Sequence, residues 1–424
     1  MKQLKVILIG AGDRGTTYTD IMANLPEQFK VVAVAEPIES RRQHIKELHN
    51  IPDDMCFTDY KPLLALGKIA DLAVIATMDR DHFEPSMKAI SLKYDILLEK
   101  PITPTPEECI ALCDWAKINK VKVVVCTVLR YTFLFQKLKE IIDSGKIGDV
   151  ISINHEECVG YTHQSHSFVR GRWGNSERSS PMLLQKSCHD IDILQWLIGK
   201  QCKQVQSFGN LTHFTQKNAP KGSPEYCIEG CPHAEKCKYN AVRLYLDDKE
   251  NMWFRRSSTD LYNPTDADVE HTLRTTQYGK CIYKCDNDVV DHQTVNMLFE
   301  DDITVTFTMT AFAVDGRYIN IMGTKGQVRA SLGDNSPIKI FSFSNEFEEI
   351  ESIGSNSITA GHGGGDTGIV KTLYDYIIGD YDDNCVPTIE ESCYNHLVVF
   401  AAEASRKENC VINVKNYIKN LNMN

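Results

Sequence analysis

Short apolar runs separated by helix-length polar stretches organise the first third of the chain. Lys5-Val6-Ile7-Leu8-Ile9 and Val31-Val32-Ala33-Val34-Ala35 are nearly continuous, the pattern of strands covered on both faces. Residues 70–77, 95–98 and 122–127 repeat it. Helices are expected between them, near 16–25, 40–48, 60–66 and 83–92, and again after Thr105, which reads with Glu108 as a capping box. Strands alternating with helices through residue 127 predict a parallel, doubly wound sheet. The pattern then changes. Residues 150–157, 294–299, 303–313, 318–322 and 327–331 read as strands, and turns at Glu300-Asp301-Asp302 and Gly323-Thr324-Lys325-Gly326 join them as antiparallel hairpins. Helices are expected at 181–198, 368–378 and 390–407, and 159–178 reads as a polar, His-rich excursion. The expectation is an α/β protein of two domains, 1–127 and 128–424, with a Gly-, Pro- and Cys-rich insertion near 218–240.

The first strand runs into Gly10-Ala11-Gly12-Asp13-Arg14-Gly15, and the second ends at Glu36. Strand, Gly-x-Gly-x-x-Gly, helix, strand and acid form the fingerprint of a Rossmann dinucleotide site. Gly10 allows the tight turn, Gly12 lets backbone approach a pyrophosphate, and Gly15 brings the helix against the sheet. The unpaired N–H groups of the first helical turn then face the phosphates. Glu36 is expected to accept the adenosine ribose hydroxyls and to favour NAD. Arg41 and Arg42 could hold a 2′-phosphate, so NADP stays open.

Composition narrows the partners. In 424 residues, 42% hydrophobic and 24% charged, a formal net charge of −11 argues against nucleic acid or an anionic membrane surface. No apolar run is long enough to span a bilayer, and the N-terminus lacks the shape of a signal peptide, so a cytoplasmic protein is expected. Fifteen cysteines then read as reduced thiols, mostly buried.

Chemistry concentrates after the fourth strand. Lys100 follows the strand at 95–98 and precedes Pro101, which places an amine beside the nicotinamide end of the cleft. With Glu99-Lys100-Pro101, Ala76-Thr77 and His82, Leu129-Arg130-Tyr131, His189-Asp190-Ile191-Asp192 and Met322-Gly323-Thr324-Lys325-Gly326, the chain resembles the glucose–fructose oxidoreductase / inositol dehydrogenase family, Gfo/Idh/MocA. The resemblance implies an N-terminal Rossmann domain holding NAD or NADP and a C-terminal α/β domain with a large, mainly antiparallel sheet. It implies reversible oxidation of a sugar or cyclitol hydroxyl, and a homo-oligomer, dimer or tetramer, through that sheet. Carried onto this sequence, Lys100 and His189 match catalytic positions. Thr77, His82 and Glu99 match cofactor-lining positions, and Arg130 and Tyr131 lie near the substrate.

One departure stands out. Gln185 occupies the position where many sugar dehydrogenases of the family carry an aspartate, and Lys186 follows it. Gln185 can hydrogen-bond a hydroxyl but cannot act as a base. Lys186, three positions before His189, is a candidate second amine of the site or half of a structural ion pair. Such a site also suits an NAD-dependent glycosidase that oxidises its substrate transiently, and a non-catalytic NAD sensor is the third reading. His155, His163, His166, Arg170, Arg172 and Trp173 crowd one stretch, as a carbohydrate site would need. Cys227, Cys231 and Cys237, with Cys281 and Cys285, raise structural zinc, although the x3 and x5 spacings favour reduced cysteines and no metal.

Overall fold

The computed structural model describes residues 2–333, 336–344, 346–351, 362–381 and 385–421. Strands β1 (Leu4–Ile9), β2 (Phe29–Ala35), β3 (Cys56–Phe57), β4 (Leu72–Ile75), β5 (Asp95–Leu98) and β6 (Val123–Val125) form one parallel sheet in the order β3-β2-β1-β4-β5-β6. Helices cover both faces, so β1 and β4 are almost entirely buried. The strand order reverses between β1 and β4, and the loops leaving their carboxyl ends diverge there. A crevice results at that edge, where ligands of such sheets bind.

The second sheet has nine strands: β7 (Val150–Cys158), β8 (Cys202–Asn210), β9 (His292–Phe299), β10 (Thr304–Thr310), β11 (Gly316–Gly323), β12 (Gly326–Leu332), β13 (Ile338–Ser342), β14 (Phe347–Ile350) and β15 (Ile412–Asn413). Their order is β14-β13-β12-β11-β7-β10-β9-β8-β15, and only the β7–β10 pair is parallel. Helix Ile389–Glu408 lies across it, with Leu397, Val398, Val399, Ala401 and Ala402 buried. The chain also returns to the first sheet late. Ile369, Val370, Leu373 and Tyr374 of helix Gly365–Ile378 share a core with Leu4, Val6, Leu8 and Val34.

Several expectations need correction. Thr105 caps helix Pro106–Asn119 by accepting the Glu108 N–H at 3.4 Å, but no return bond from the Glu108 side chain completes a box. The stretch at 159–178 is a buried helical connection: Tyr161–Ser165, a wide π turn at His166–Arg170 and a 3-10 turn at Arg172–Gly174. The helix expected at 181–198 splits into Met182–Gln185 and Cys188–Ile198. The insertion is larger than its cysteine-rich part, since residues 211–291 all lie between the adjacent strands β8 and β9. It carries a small core of its own around Ala241, Tyr245, Phe254, Val269 and Leu273.

Candidate active site

The glycine turn is shaped by three different constraints. Gly10 has φ +89°, and a Cβ there would stand 2.6 Å from the Ala76 carbonyl oxygen. A Cβ on Gly15 would stand 2.0 Å from the Gly10 oxygen. At Gly12 the nearest atom to a Cβ would be Nη1 of Arg41, 3.9 Å away, and its φ of −68° is ordinary. The protein itself therefore does not require glycine at 12. The opening suits the close approach of a pyrophosphate to the N-terminus of helix Asp13–Ala23, so the residues present fit a dinucleotide.

Glu36 is used differently from expectation. It is 4% exposed, and its two carboxylate oxygens accept the N–H groups of Ala11 (2.7 Å) and Ile38 (2.9 Å). It braces the glycine turn from behind. Arg41 pairs with Asp260 at 3.1 Å, and Arg42 donates to the Glu36 and Pro37 carbonyls at 2.6 and 3.2 Å. Both guanidiniums thus have partners other than a phosphate.

Arg14 ties the turn to two distant segments. Its Nε donates to Glu99 at 2.9 Å and its Nη1 to Asp366 at 3.1 Å, while the Tyr18 hydroxyl donates to Glu99 at 2.6 Å. Burial opposes ionisation of Glu99, but the charges of Arg14 and Lys100 outweigh it and hold its carboxyl below the usual range. Glu99 also accepts the backbone N–H of Lys100 at 2.8 Å, which fixes the chain where Lys100 leaves β5.

Lys100 Nζ donates to the Gln185 carbonyl oxygen at 2.8 Å. That oxygen lies at the end of helix Met182–Gln185, where the break before Cys188 leaves a carbonyl for the amine. Gln185 and His189 line one cleft of about 330 Å³ with Lys100, Thr77, Glu99 and the glycine turn. Lys186 turns away and pairs with Glu157 at 3.2 Å. Beneath the cleft, Arg317 bridges Glu157 (2.7 Å) and Asp190 (2.7 Å), and Asp190 also meets His155 Nε2 at 2.8 Å. Burial pulls Lys186 down and pushes Glu157 up. Asp190, despite burial, is held down at about 2 by Arg317 and His155. His163, outside the cleft lining, is driven well below its ordinary value by burial first and then by nearby cations such as Lys186, Arg317 and Lys100.

Other expected residues lie elsewhere. Arg130 is fully buried, clamps Asp192 through two bonds of 2.7 and 2.6 Å, and meets Glu391 at 3.0 Å; it belongs to the core and not to the cleft lining. Tyr131 packs into the cores of both sheets. His82 is buried with its ring nitrogens against the carbonyls of Pro101 (2.8 Å) and Thr77 (3.1 Å), so it supports the lining. Cys227, Cys231, Cys237 and Cys281 line a separate cavity of about 380 Å³ beside Arg170. Among the described residues no group of three or more His, Cys, Asp or Glu is arranged to hold a metal ion, and no disulfide joins the cysteines.

Sequence reasoning missed one wall of the cleft. Trp253, Arg256, Ser257, Asp260 and Tyr262 of the insertion stand opposite the glycine turn. The only local signal was the amphipathic run Trp253-Phe254-Arg255-Arg256, which says nothing of its distant partners.

The model of the NAD-binding Rossmann fold of the Gfo/Idh/MocA oxidoreductase family matches residues 4–127, and that of the family's C-terminal α/β domain matches 139–414. The chain belongs to this family. Among relatives of this Gfo/Idh/MocA protein, YteT from Bacillus subtilis (strain 168) is 24% identical over 85% of this chain and 83% of its own length. The 2,7-anhydro-N-acetylneuraminate hydratase of Escherichia coli (strain K12) is 27% identical, and the match spans 49% of this chain and about half of that protein, 53%. The scyllo-inositol dehydrogenase of Lactobacillus casei, solved with NAD(H) and scyllo-inositol, shares the fold with a TM-score of 0.66 at 15% identity, covering 98% of this chain and 99% of that one. The resemblance inferred from motifs is thus borne out across both halves. No helix among the described residues is long and apolar enough to cross a membrane.

Proposed function

We propose that this protein oxidises and reduces a hydroxyl-bearing carbon of a sugar, glycoside or cyclitol, with NAD as the hydride carrier. Gly10, Gly12, Asp13, Arg14 and Gly15 would hold the pyrophosphate, with Thr77 and Glu99 along the same wall. Lys100 and His189 would exchange the substrate's hydroxyl proton, and Gln185 would orient the substrate. The observation that carries the reading is the convergence of Lys100, anchored 2.8 Å from the Gln185 carbonyl, and His189 in the cleft that opens at Gly12. Trp173 and Trp253 line the same cleft as Lys100, Arg172 and Gln185, a mixture of aromatic and polar side chains that suits a polyol. The scyllo-inositol bound to the Lactobacillus casei relative supports the same substrate class. Lys186, paired with Glu157 and absent from the cleft lining, would support the site and not touch substrate.

Positioned acid–base groups contribute about a hundredfold to ten-thousandfold. Lys100→Ala is therefore expected to remove turnover on a panel of polyols while leaving NAD affinity within a few-fold. Equal turnover in that variant would remove Lys100 from the mechanism.

A redox-neutral cycle is the second reading. A hydratase stands among the relatives, and the insertion wall over the cleft favours keeping the cofactor in place. Cleavage of a nitrophenyl glycoside without accumulating NADH would select it. The proposal includes a homo-oligomer through the outer face of the nine-stranded sheet, where Phe208 is 52% exposed among threonines and asparagines of neighbouring strands. A monomer by light scattering would remove it.

A further inference from the structure

Helix Met252–Thr259 and the three residues after it cross from the insertion to the first sheet's helices, and the two ends of this segment are held by different chemistry. The body is buried. Phe254 is 5% exposed within the insertion's own core and stacks on His166 with ring centroids 4.4 Å apart. Ser257 Oγ meets His166 Nε2 at 2.7 Å, and the Tyr245 hydroxyl meets Nδ1 at 2.9 Å. Burial pushes His166 down to about 3, so this anchor stays uncharged.

The tip is held by half-exposed contacts. Asp260, in the left-handed region at φ +62°, places its carboxylate between Arg41 (3.1 Å) and Arg172. Tyr262 stacks on His44 at 3.9 Å with planes 18° apart, and the Arg256 guanidinium lies 4.3 Å from the Tyr262 ring centre. Arg41 is also the side chain nearest the space left open at Gly12. The tip therefore closes over the glycine turn itself.

We infer that this segment is a clasp that keeps the dinucleotide in the cleft from one turnover to the next, with Asp260 and Tyr262 as its latch. The inference rests on the reading of the cleft as an NAD site. A ligand lying on the glycine turn has the clasp across its outer side, so the tip must lift before it leaves. A buried body with a solvent-accessible tip makes a hinged flap, because half-exposed ion pairs and single ring stacks are individually weak and the buried core is not. Release is then limited by opening of the latch, and such retention suits a cycle in which the cofactor ends as it began.

The test is the release rate of NADH from the full-length protein, followed by loss of bound-NADH fluorescence on mixing with excess NAD. Asp260→Asn, which keeps a residue tolerant of the left-handed region, Arg41→Ala and Tyr262→Ala are each expected to release NADH about two- to tenfold faster, the scale of losing one or two such contacts. Arg41→Ala with Asp260→Asn together should release little faster than either alone, because both open the same latch. Salt needs no variant. Raising it from about 0.1 to about 1 M shortens the screening length from about 10 to about 3 Å. Release should therefore quicken in the unaltered protein and change less in Asp260→Asn. Tight NADH binding with the same release rate in all variants, insensitive to salt, overturns the clasp and leaves the NAD site standing. Absence of NADH binding by the folded, unaltered protein overturns both.

Discussion

Gly12 and Gly15 stand three positions apart in one motif but answer to different demands. A methyl at 15 collides with the Gly10 carbonyl, whereas at 12 it points into open space. Gly15→Ala should therefore cost about 1–3 kcal/mol of stability as overpacking does. Gly12→Ala should leave the melting temperature nearly unchanged and weaken NAD about tenfold or more. Paired thermal melts and NAD titrations check both, and a reversed assignment would contradict the reading of the turn. The same neighbourhood decides the nucleotide. With Arg41 on Asp260 and Arg42 on backbone carbonyls, neither is free to take a 2′-phosphate, so NAD should bind at least about tenfold more tightly than NADP. Equal affinities in titration calorimetry would refute this. The fingerprint made the glycines and Glu36 legible in the sequence, but not that Glu36 is turned inward onto Ala11 and Ile38. Spacing identifies an acid at a strand end without telling which backbone amides it meets.

At the scale of elements, periodicity located the helices and five of the six strands of the first sheet, because each must bury both faces or one stripe locally; the two-residue β3 (Cys56–Phe57) is too short to show a period. It could not locate the break between Gln185 and Cys188, which is held by partners far away: Lys100 on the Gln185 carbonyl and Glu157 on Lys186. Nor could it show that Arg130 was committed to the core. The guanidinium is buried against Asp192 and Glu391, so Arg130→Ala would leave a buried carboxylate uncompensated, at a cost of about 3–5 kcal/mol. Urea unfolding measures this. A loss of activity with no loss of stability would return Arg130 to the substrate. The insertion illustrates the same limit, since helix Met252–Thr259 is amphipathic by itself but owes its place to distant residues, His166 against Ser257 and His44 against Tyr262 just beyond its end.

For the whole molecule, buried neutral histidines set the response to acid. His166 is pushed down to about 3 by burial. His396 is pushed down to about 4, and its Nε2 accepts the Ile102 N–H at 3.2 Å, a bond its protonation would destroy. Unfolded histidines titrate near about 6.5, so below that pH the unfolded chain takes up protons that the native one refuses. Stability is full above this range and falls as pH drops towards about 4. The slope approaches about 1.4 kcal/mol per pH unit for each of the two, or about 2–3 kcal/mol between pH 6 and 5. Chemical denaturation across that range should show the decline, and a flat profile would mean these imidazoles are solvated.

The large-scale architecture was readable because buried parallel strands and antiparallel hairpins leave their mark in the longer strands, although β8, β13 and the edge strands β3, β14 and β15 were not read from the sequence. How the insertion folds back over the cleft was not. The central claim is that Lys100 and His189 serve hydride exchange between NAD and a polyol in this cleft. It is tested most directly by adding sugars and cyclitols to NAD-loaded protein and following the near-ultraviolet absorbance of reduced nicotinamide. Reduction is expected with at least one polyol in the unaltered protein, and none in Lys100→Ala that still binds NAD. Reduction at the same rate in both proteins, or with no polyol in either, would contradict it.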